Sequence, residues 1–335
     1  MAIGSGTSRS RDSDHNRGVS MTTGDNAIEV RNLSRRFGEF RAVDDLTFDV
    51  RRGEIFGFLG SNGAGKSTTI RMLCGLLQPT SGTARVGGVD VGADPEGVKR
   101  RIGYMSQRFS LYELLTVDQN IRFFGGIYGL DAARLRARRR FVLEMAGLEG
   151  REGTLARDLS GGWRQRLALG CAILHEPSIL FLDEPTGGVD PISRRQFWRL
   201  IDALSQQGVT VLVTTHYLDE AERCHRVALI HAGRLAALGS TNEVKQIFRG
   251  RPIVEVRGPR PVELMRALDG LPDVEKTSLF GTAVHAVLRS GAAGPPAIAA
   301  ALGAHGLPVE SVEEVLPSLE DVFLDVVEKA GGQAA

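Results

Sequence analysis

Residues Gly60-Ser61-Asn62-Gly63-Ala64-Gly65-Lys66-Ser67 spell G-x-x-x-x-G-K-S directly after the apolar run Ile55-Phe56-Gly57-Phe58-Leu59. A strand, a glycine-rich loop and a helix in that order leave few folds open, because the loop belongs at the C-terminal end of a buried strand with a helix start facing it. Three glycines let the chain turn tightly enough for successive N–H groups to point at a polyphosphate, and the helix beginning near Lys66 adds its positive dipole end. Lys66 then reaches the outer phosphates as a point charge. Opposite charges about 4 Å apart at an effective dielectric near 20 attract by roughly 4 kcal/mol, on the order of a thousandfold in affinity. Ser67 offers a hydroxyl to Mg2+, which would bridge the phosphate oxygens. Only five of the 41 basic residues are lysine (Lys66, Lys99, Lys245, Lys276, Lys329), so a lysine at this position stands out against an arginine-rich background.

With 335 residues, 42% hydrophobic and 24% charged, the chain can bury one large core and a smaller one. A formal net charge of +1 provides no bulk field to recruit nucleic acid, and none is expected as a partner. Three cysteines, Cys74, Cys171 and Cys224, have no metal-ligand spacing, and their odd number argues against a disulfide framework. No apolar stretch approaches the ~20 residues of a membrane span. Residues 1–26 are polar and glycine-rich without the apolar centre of a signal peptide, and read as a disordered tail in which Met21 could be the true start.

From Ala27 short β-like runs alternate with helical segments. Strands are expected at Ala27–Val30, Leu46–Val50, Ile55–Leu59, Ile102–Met105, Ile179–Leu182, Val209–Thr214 and Val227–Ile230, with a helix over Lys66–Leu76. The runs at 179 and 209 are apolar enough to be buried on both faces. This is an α/β core with its ligand site at strand C-termini. A helical insertion at about 108–175 includes Arg134, Arg136, Arg138, Arg139 and Arg140, a basic face read as solvated or, more sharply, as a docking surface. Composition shifts near residues 249–252. Beyond it the order strand 253–257, helix 262–269, strand 274–280, strand 283–289, helix 295–304, strand 309–315 is that of a split βαβ, ferredoxin-like module. A last helix follows Pro317, with Ser318 as its N-cap and an apolar stripe through Leu319, Val322, Phe323, Val326 and Val327.

Two further segments carry chemistry. Ile179-Leu180-Phe181-Leu182-Asp183-Glu184 is an apolar strand ending in two carboxylates, which delivers Asp183 to the Mg2+ side of the phosphates and leaves Glu184 to polarise an attacking water. Leu159-Ser160-Gly161-Gly162-Trp163-Arg164-Gln165-Arg166 opens an apolar helix, with Ser160 as a natural N-cap and two glycines exposing N–H groups. A phosphate loop plus a separate anion-binding helix start suggests two copies sharing each nucleotide.

With the loop at 60–67 and the strand ending Asp183-Glu184, the run Leu-Ser-Gly-Gly at 159–162 resembles the signature of ABC transporter ATP-binding subunits over about residues 27–247. The resemblance implies an ABC cassette with a P-loop NTPase core, a helical subdomain at about 108–175 and an accessory α+β domain at 252–331. It implies ATP held by Phe37, Gly60, Ser61, Asn62, Gly63, Ala64, Gly65, Lys66, Ser67, Thr68, Gln107, Ser160, Gly161, Gly162 and Asp190. Phe37 would stack on adenine, Gln107 would be the Q-loop glutamine and Asp190 belongs to the D-loop. Mg2+ would sit on Ser67, Gln107 and Asp183. Glu184 would be the catalytic base and His216 the switch contacting the γ-phosphate. Trp163 departs from the family, standing where many members have glutamine. The ending Pro317–Leu324 resembles ATPase subunits paired with ABC-2 type permeases. The implied protein is an ATP-hydrolysing exporter subunit that closes head to tail with a second copy and acts with integral membrane permeases at the cytoplasmic face of the membrane. An importer ATPase with a regulatory tail and a non-transport ABC ATPase are the alternatives.

Overall fold

The computed structural model describes residues 26–107 and 111–331. The expected N-terminal tail, Met21 included, lies outside the described residues apart from Asn26. In chain order the strands are β1 (Asn26–Phe37), β2 (Phe40–Arg51), β3 (Ile55–Leu59), β4 (Ser81–Val86), β5 (Val89–Asp90), β6 (Ile102–Met105), β7 (Ile179–Asp183), β8 (Thr210–Thr215), β9 (Arg226–His231), β10 (Arg234–Gly239), β11 (Ile253–Arg257), β12 (Val274–Phe280), β13 (Ala283–Leu288) and β14 (Ser311–Val315). The helices are α1 (Lys66–Leu73), α2 (Pro95–Lys99), α3 (Val117–Ile127), α4 (Ala132–Ala146), α5 (Gly161–Ala172), α6 (Pro191–Gln206), α7 (Leu218–Ala221), α8 (Thr241–Lys245), α9 (Pro261–Asp269), α10 (Pro295–Ala304) and α11 (Leu319–Gly331).

Three sheets form, in the orders β2-β1-β4-β5, β10-β9-β3-β8-β7-β6 and β12-β13-β11-β14. In the six-stranded sheet β9, β3, β8, β7 and β6 run parallel and β10 adds an antiparallel edge. Every residue of β3, β7 and β8 is buried, as their unbroken apolar runs predict for strands covered on both faces. Alternation divides that burial. Phe56, Phe58, Phe181 and Leu212 join one core with the antiparallel sheet and α1, where Phe48 stacks on Phe56 at 5.6 Å. Leu59, Leu180, Leu182 and Val213 face a second core with α5 and α6.

Three expectations change. The Lys66 helix ends at Leu73 rather than Leu76, because Gly75 adopts φ +68° and a Schellman arrangement closes it, with Leu76 N–H donating to Arg71 O and Gly75 N–H to Met72 O. The first two strands are far longer than Ala27–Val30 and Leu46–Val50, forming a bulged hairpin of two twelve-residue strands. Strands β4, β5 and β10 were not anticipated.

The helices of the insertion enclose their own core, which includes Val117, Ile121, Val142, Leu148, Leu167 and Cys171. Its arginines are largely spoken for. Arg138 donates to the Ile173 and Leu174 carbonyls past the end of α5, Arg134 and Arg138 flank Glu176, and Arg139 pairs with Asp118. All three cysteines are buried and unpaired, and no helix of the described residues is long and apolar enough to cross a membrane.

The C-terminal unit has the predicted β-α-β-β-α-β order, and its sheet is antiparallel throughout. One sheet face, with Val254, Val256, Val284, Ala286 and Leu288, packs on α9 and α10. The other carries Ile253 and Val287 into the core shared with the cassette, where Leu319 and Val322 of α11 also lie. Helix α11 is thus held between sheet and cassette. Ser318 caps it as expected: Asp321 N–H donates to Ser318 Oγ at 3.1 Å, and Asp321 Oδ2 accepts from Ser318 N–H and Oγ–H. Asp321 Oδ1 meets His285 Nδ1 at 2.8 Å, and Asp325, 1% exposed, is surrounded by Arg251, Lys276 and Lys329, each at 2.8 Å.

Burial opposes a charged His285, but Asp321 and Glu255 outweigh it and hold the imidazole above its ordinary 6.5. A raised folded value means that this stabilisation is fully present below 6.5 and is lost as pH rises through the folded value. The thermal unfolding midpoint is therefore expected to fall as pH rises above about 6.5, and His285→Gln to flatten that profile; scanning calorimetry of the full chain on both sides of that pH is the check.

Candidate functional site

A cleft of about 400 Å³ opens over the glycine-rich loop, lined by Phe40, Ala42, Asn62, Gly63, Gly65, Lys66, Ser67, Thr68, Gln107 and Glu184. The parallel register sets it up. Leu59 pairs with Thr215 and Asp183 with Thr214, so β3, β7 and β8 end at one level, and the loop and both carboxylates emerge together. Backbone crowding fixes the loop's composition as much as phosphate approach does. A Cβ on Gly60 would lie 2.4 Å from the Ile230 carbonyl oxygen, and one on Gly65, at φ +103°, would lie 2.4 Å from that of Ala42.

Asp183 is 3% exposed, and its Oδ1 accepts from Ser67 Oγ–H at 3.1 Å and from Thr214 Oγ–H at 2.8 Å. The carboxylate acts on its surroundings: burial first, and then Asp183, push the Tyr104 phenol up to about 12. Glu184 has φ +47°, an uncommon conformation for a residue with a side chain, and its N–H is held by the Thr214 hydroxyl at 2.8 Å. This turn aims Glu184 away from Asp183. Its carboxylate, 10% exposed, meets Lys66 Nζ at 3.5 Å, Gln107 Nε2–H at 3.1 Å and His216 Nδ1 at 3.3 Å. Lys66 also donates to the carbonyls of Gly60 at 2.8 Å and Ser61 at 3.2 Å. Three expected residues, Lys66, Gln107 and His216, thus converge on the carboxylate of a fourth, Glu184.

Ser67, Gln107 and Asp183 offer only oxygen donors toward a cation, and Ser67 and Asp183 already touch. That is the donor chemistry of Mg2+, which takes one or two carboxylates and completes its shell with water and phosphate. The residues fit the ion.

Other expected residues stand elsewhere. The aromatic lining the cleft is Phe40; Phe37, its partner across the hairpin turn, has the Arg35 guanidinium 4.6 Å over its ring. Ser160, Gly161, Gly162 and Asp190 do not line this cleft. Ser160 occupies the N-cap position of α5, but its hydroxyl makes no capping bond, contrary to the expectation. Asp190 caps α6, accepting from Ile192 and Ser193 N–H, and those N–H bonds hold its carboxyl below the usual range. Gly162 lies so near α6 that a Cβ there would stand 2.4 Å from Ser193 Oγ. Trp163 has the Arg151 guanidinium 3.9 Å over its ring and packs on the helical core. Two residues escaped the sequence reading. Thr214 is the hydroxyl that binds Asp183 and orients Glu184, and buried Gln165 donates to the Pro185 carbonyl just past Glu184.

Comparison with known proteins identifies the family. Residues 43–187 match the ABC transporter family, and residues 239–327 match the C-terminal domain of DrrA1-3-like ATP-binding proteins. The probable multidrug ABC transporter ATP-binding protein YbhF of Escherichia coli is 50% identical over 227 residues, 68% of this chain; the match spans 39% of that relative's length. The Nod factor export ATP-binding protein I of Cupriavidus metallidurans is 38% identical over 298 residues, covering 89% of this chain and 96% of that protein. The dimeric post-hydrolysis structure of the ATP-binding cassette MJ0796, bound to ADP and Pi, superposes with a TM-score of 0.58 at 26% identity, over 64% of this chain and 98% of that one. A nucleotide-type loop, two carboxylates at the end of a buried strand and a DrrA-type tail therefore coincide with extended sequence identity: the chain belongs to the ATP-binding proteins of ABC transporters.

Proposed function

We propose that this chain is the ATP-hydrolysing subunit of an ABC-2 type exporter. The observation that carries the catalytic part is the meeting of Lys66, Gln107 and His216 on Glu184. With ATP in the cleft, Lys66 binds the β- and γ-phosphates and the loop residues cradle them. Ser67, Gln107 and Asp183 hold Mg2+, which when bound neutralises phosphate charge. Glu184 accepts a proton from a water whose oxygen bonds to the γ-phosphorus as the bond to the bridging oxygen breaks, leaving ADP and inorganic phosphate. His216 contacts the γ-phosphate, and Phe40 and Phe37, on one face of the hairpin tip, are the candidates for stacking on adenine.

Ser160, Gly161 and Gly162 open α5 with first-turn N–H groups that no capping side chain engages, which supports their service to a nucleotide held by a second copy packed head to tail. The match to the DrrA-type tail and to Nod factor export proteins favours export. The membrane partner is a permease, which brings the chain to the cytoplasmic face. Its docking place is the exposed apolar edge of the helical subdomain beyond Gln107: Tyr112, Leu114, Phe123 and Ile127 are exposed there, with the Tyr112 and Phe123 rings 4.5 Å apart, beside a cleft of about 600 Å³ that Ile127 and Tyr128 help to line. An amphipathic helix from a permease loop suits such a surface.

Glu184→Gln is expected to bind ATP as the parent does, to lose at least about a hundredfold in phosphate release, and to accumulate an ATP-bound dimer on size exclusion. Normal turnover by that variant would remove Glu184 as the base. Phe123→Asp is expected to weaken co-purification with the permease by about tenfold or more while leaving ATP binding by the isolated chain intact.

A further inference from the structure

Among the buried polar atoms that make no hydrogen bond are Arg194 Nε and Glu220 Oε1, and these two face each other at 3.4 Å. Arg194 sits one turn into α6, where its N–H donates to the Asp190 carbonyl at 2.9 Å. Its guanidinium also lies 4.1 Å from the centre of the Tyr217 ring, whose other neighbour is the His216 ring at 4.1 Å. Glu220 is 2% exposed, and its second oxygen accepts from Thr215 Oγ–H at 2.8 Å. That same Thr215 hydroxyl accepts from Tyr217 N–H at 3.0 Å.

Both neighbours of His216 in sequence are thus tied to one buried ion pair. His216 itself is 41% exposed, and its Nδ1 lies 3.3 Å from the Glu184 carboxylate, so packing alone does not fix its ring. We propose that Arg194 is a positioning residue for His216: by stacking on Tyr217 and neutralising Glu220, it holds the segment Thr215–Tyr217 so that the His216 imidazole faces Glu184 and the γ-phosphate. A buried carboxylate that loses its cation turns toward water or takes up a proton, and either change releases Thr215. An unsupported Tyr217 ring then leaves His216 free to choose other rotamers. The inference rests on the reading of His216 as the switch residue.

The test is a double-mutant cycle on the purified full chain, with steady-state ATP hydrolysis and binding of a non-hydrolysable ATP analogue as readouts. Arg194→Ala is expected to lower kcat about tenfold with analogue affinity held within about twofold, and to change kcat by less than about twofold once His216→Ala is present. Tyr217→Phe, which keeps the ring, is expected to restore the positioning that Tyr217→Ala loses. An Arg194→Ala effect of the same size in the His216→Ala background, or an unchanged kcat, overturns the proposal. Should Arg194→Ala fail to fold because Glu220 is left unpaired, the double variant Arg194→Ala with Glu220→Gln removes both charges and is judged by the same outcomes. If His216→Ala alone leaves hydrolysis unchanged, the switch reading falls and the positioning role with it, an outcome distinct from additivity.

Discussion

The hydrogen bonds that Ser67 and Thr214 give to Asp183 join the start of α1 to the ends of β7 and β8, and the cleft takes its shape from that junction. An ionised carboxylate so deeply buried is costly unless donors surround it. The two hydroxyls meet that need and so fix the phosphate loop to the sheet. Because Thr214 also receives the Glu184 N–H, the same residue that satisfies Asp183 turns the next carboxylate in the other direction. Two adjacent acids thereby acquire separate surroundings, one against α1 and the sheet, the other against Lys66, Gln107 and His216.

Much of this was legible in the sequence where side-chain periodicity and chemistry coincide. The strands Ile55–Leu59, Ile102–Met105 and Ile253–Arg257 and the helix Pro295–Ala304 have the expected limits, because a short apolar run or a proline start marks each one. The convergence on Glu184 was readable as a set of residues but not as a contact, since a bend at φ +47° leaves no mark in composition. Thr214 was invisible for a related reason: a β-branched residue inside an apolar strand reads as strand propensity, not as a ligand to Asp183. The long hairpin β1–β2 was cut short because bulges at several points of its register break the period-two pattern. Phe40 joins Phe37 as a candidate at the cleft because both stand at the tip of that hairpin, where the two aromatic residues are cross-strand partners and only three-dimensional placement separates them.

Arginine is used in this chain chiefly as a planar, multidentate fastener. Arg138 collects two carbonyls past the end of α5, Arg251 joins Glu275 and Asp325, and Arg151 and Arg194 lie over aromatic faces. The Arg151 stack also accounts for Trp163 in the signature segment: the ring covers the helical core and contributes to the anchoring of α5 through a guanidinium. The basic face expected on α4 resolves in the same way, with Arg134, Arg138 and Arg139 paired to Glu176 and Asp118 and to carbonyls past the end of α5.

Helix α11 gives its apolar stripe to the core it shares with the cassette and its acids Asp321 and Asp325 to His285, Arg251 and Lys276. A single rigid rod is therefore glued along one side and riveted along another. Anything that twisted the small sheet would have to shear either the greasy seam or the charged one, and both lie on the same few turns. The tail is thus packed on the cassette rather than merely tethered to it, with α11 lying against α7, α8 and β9.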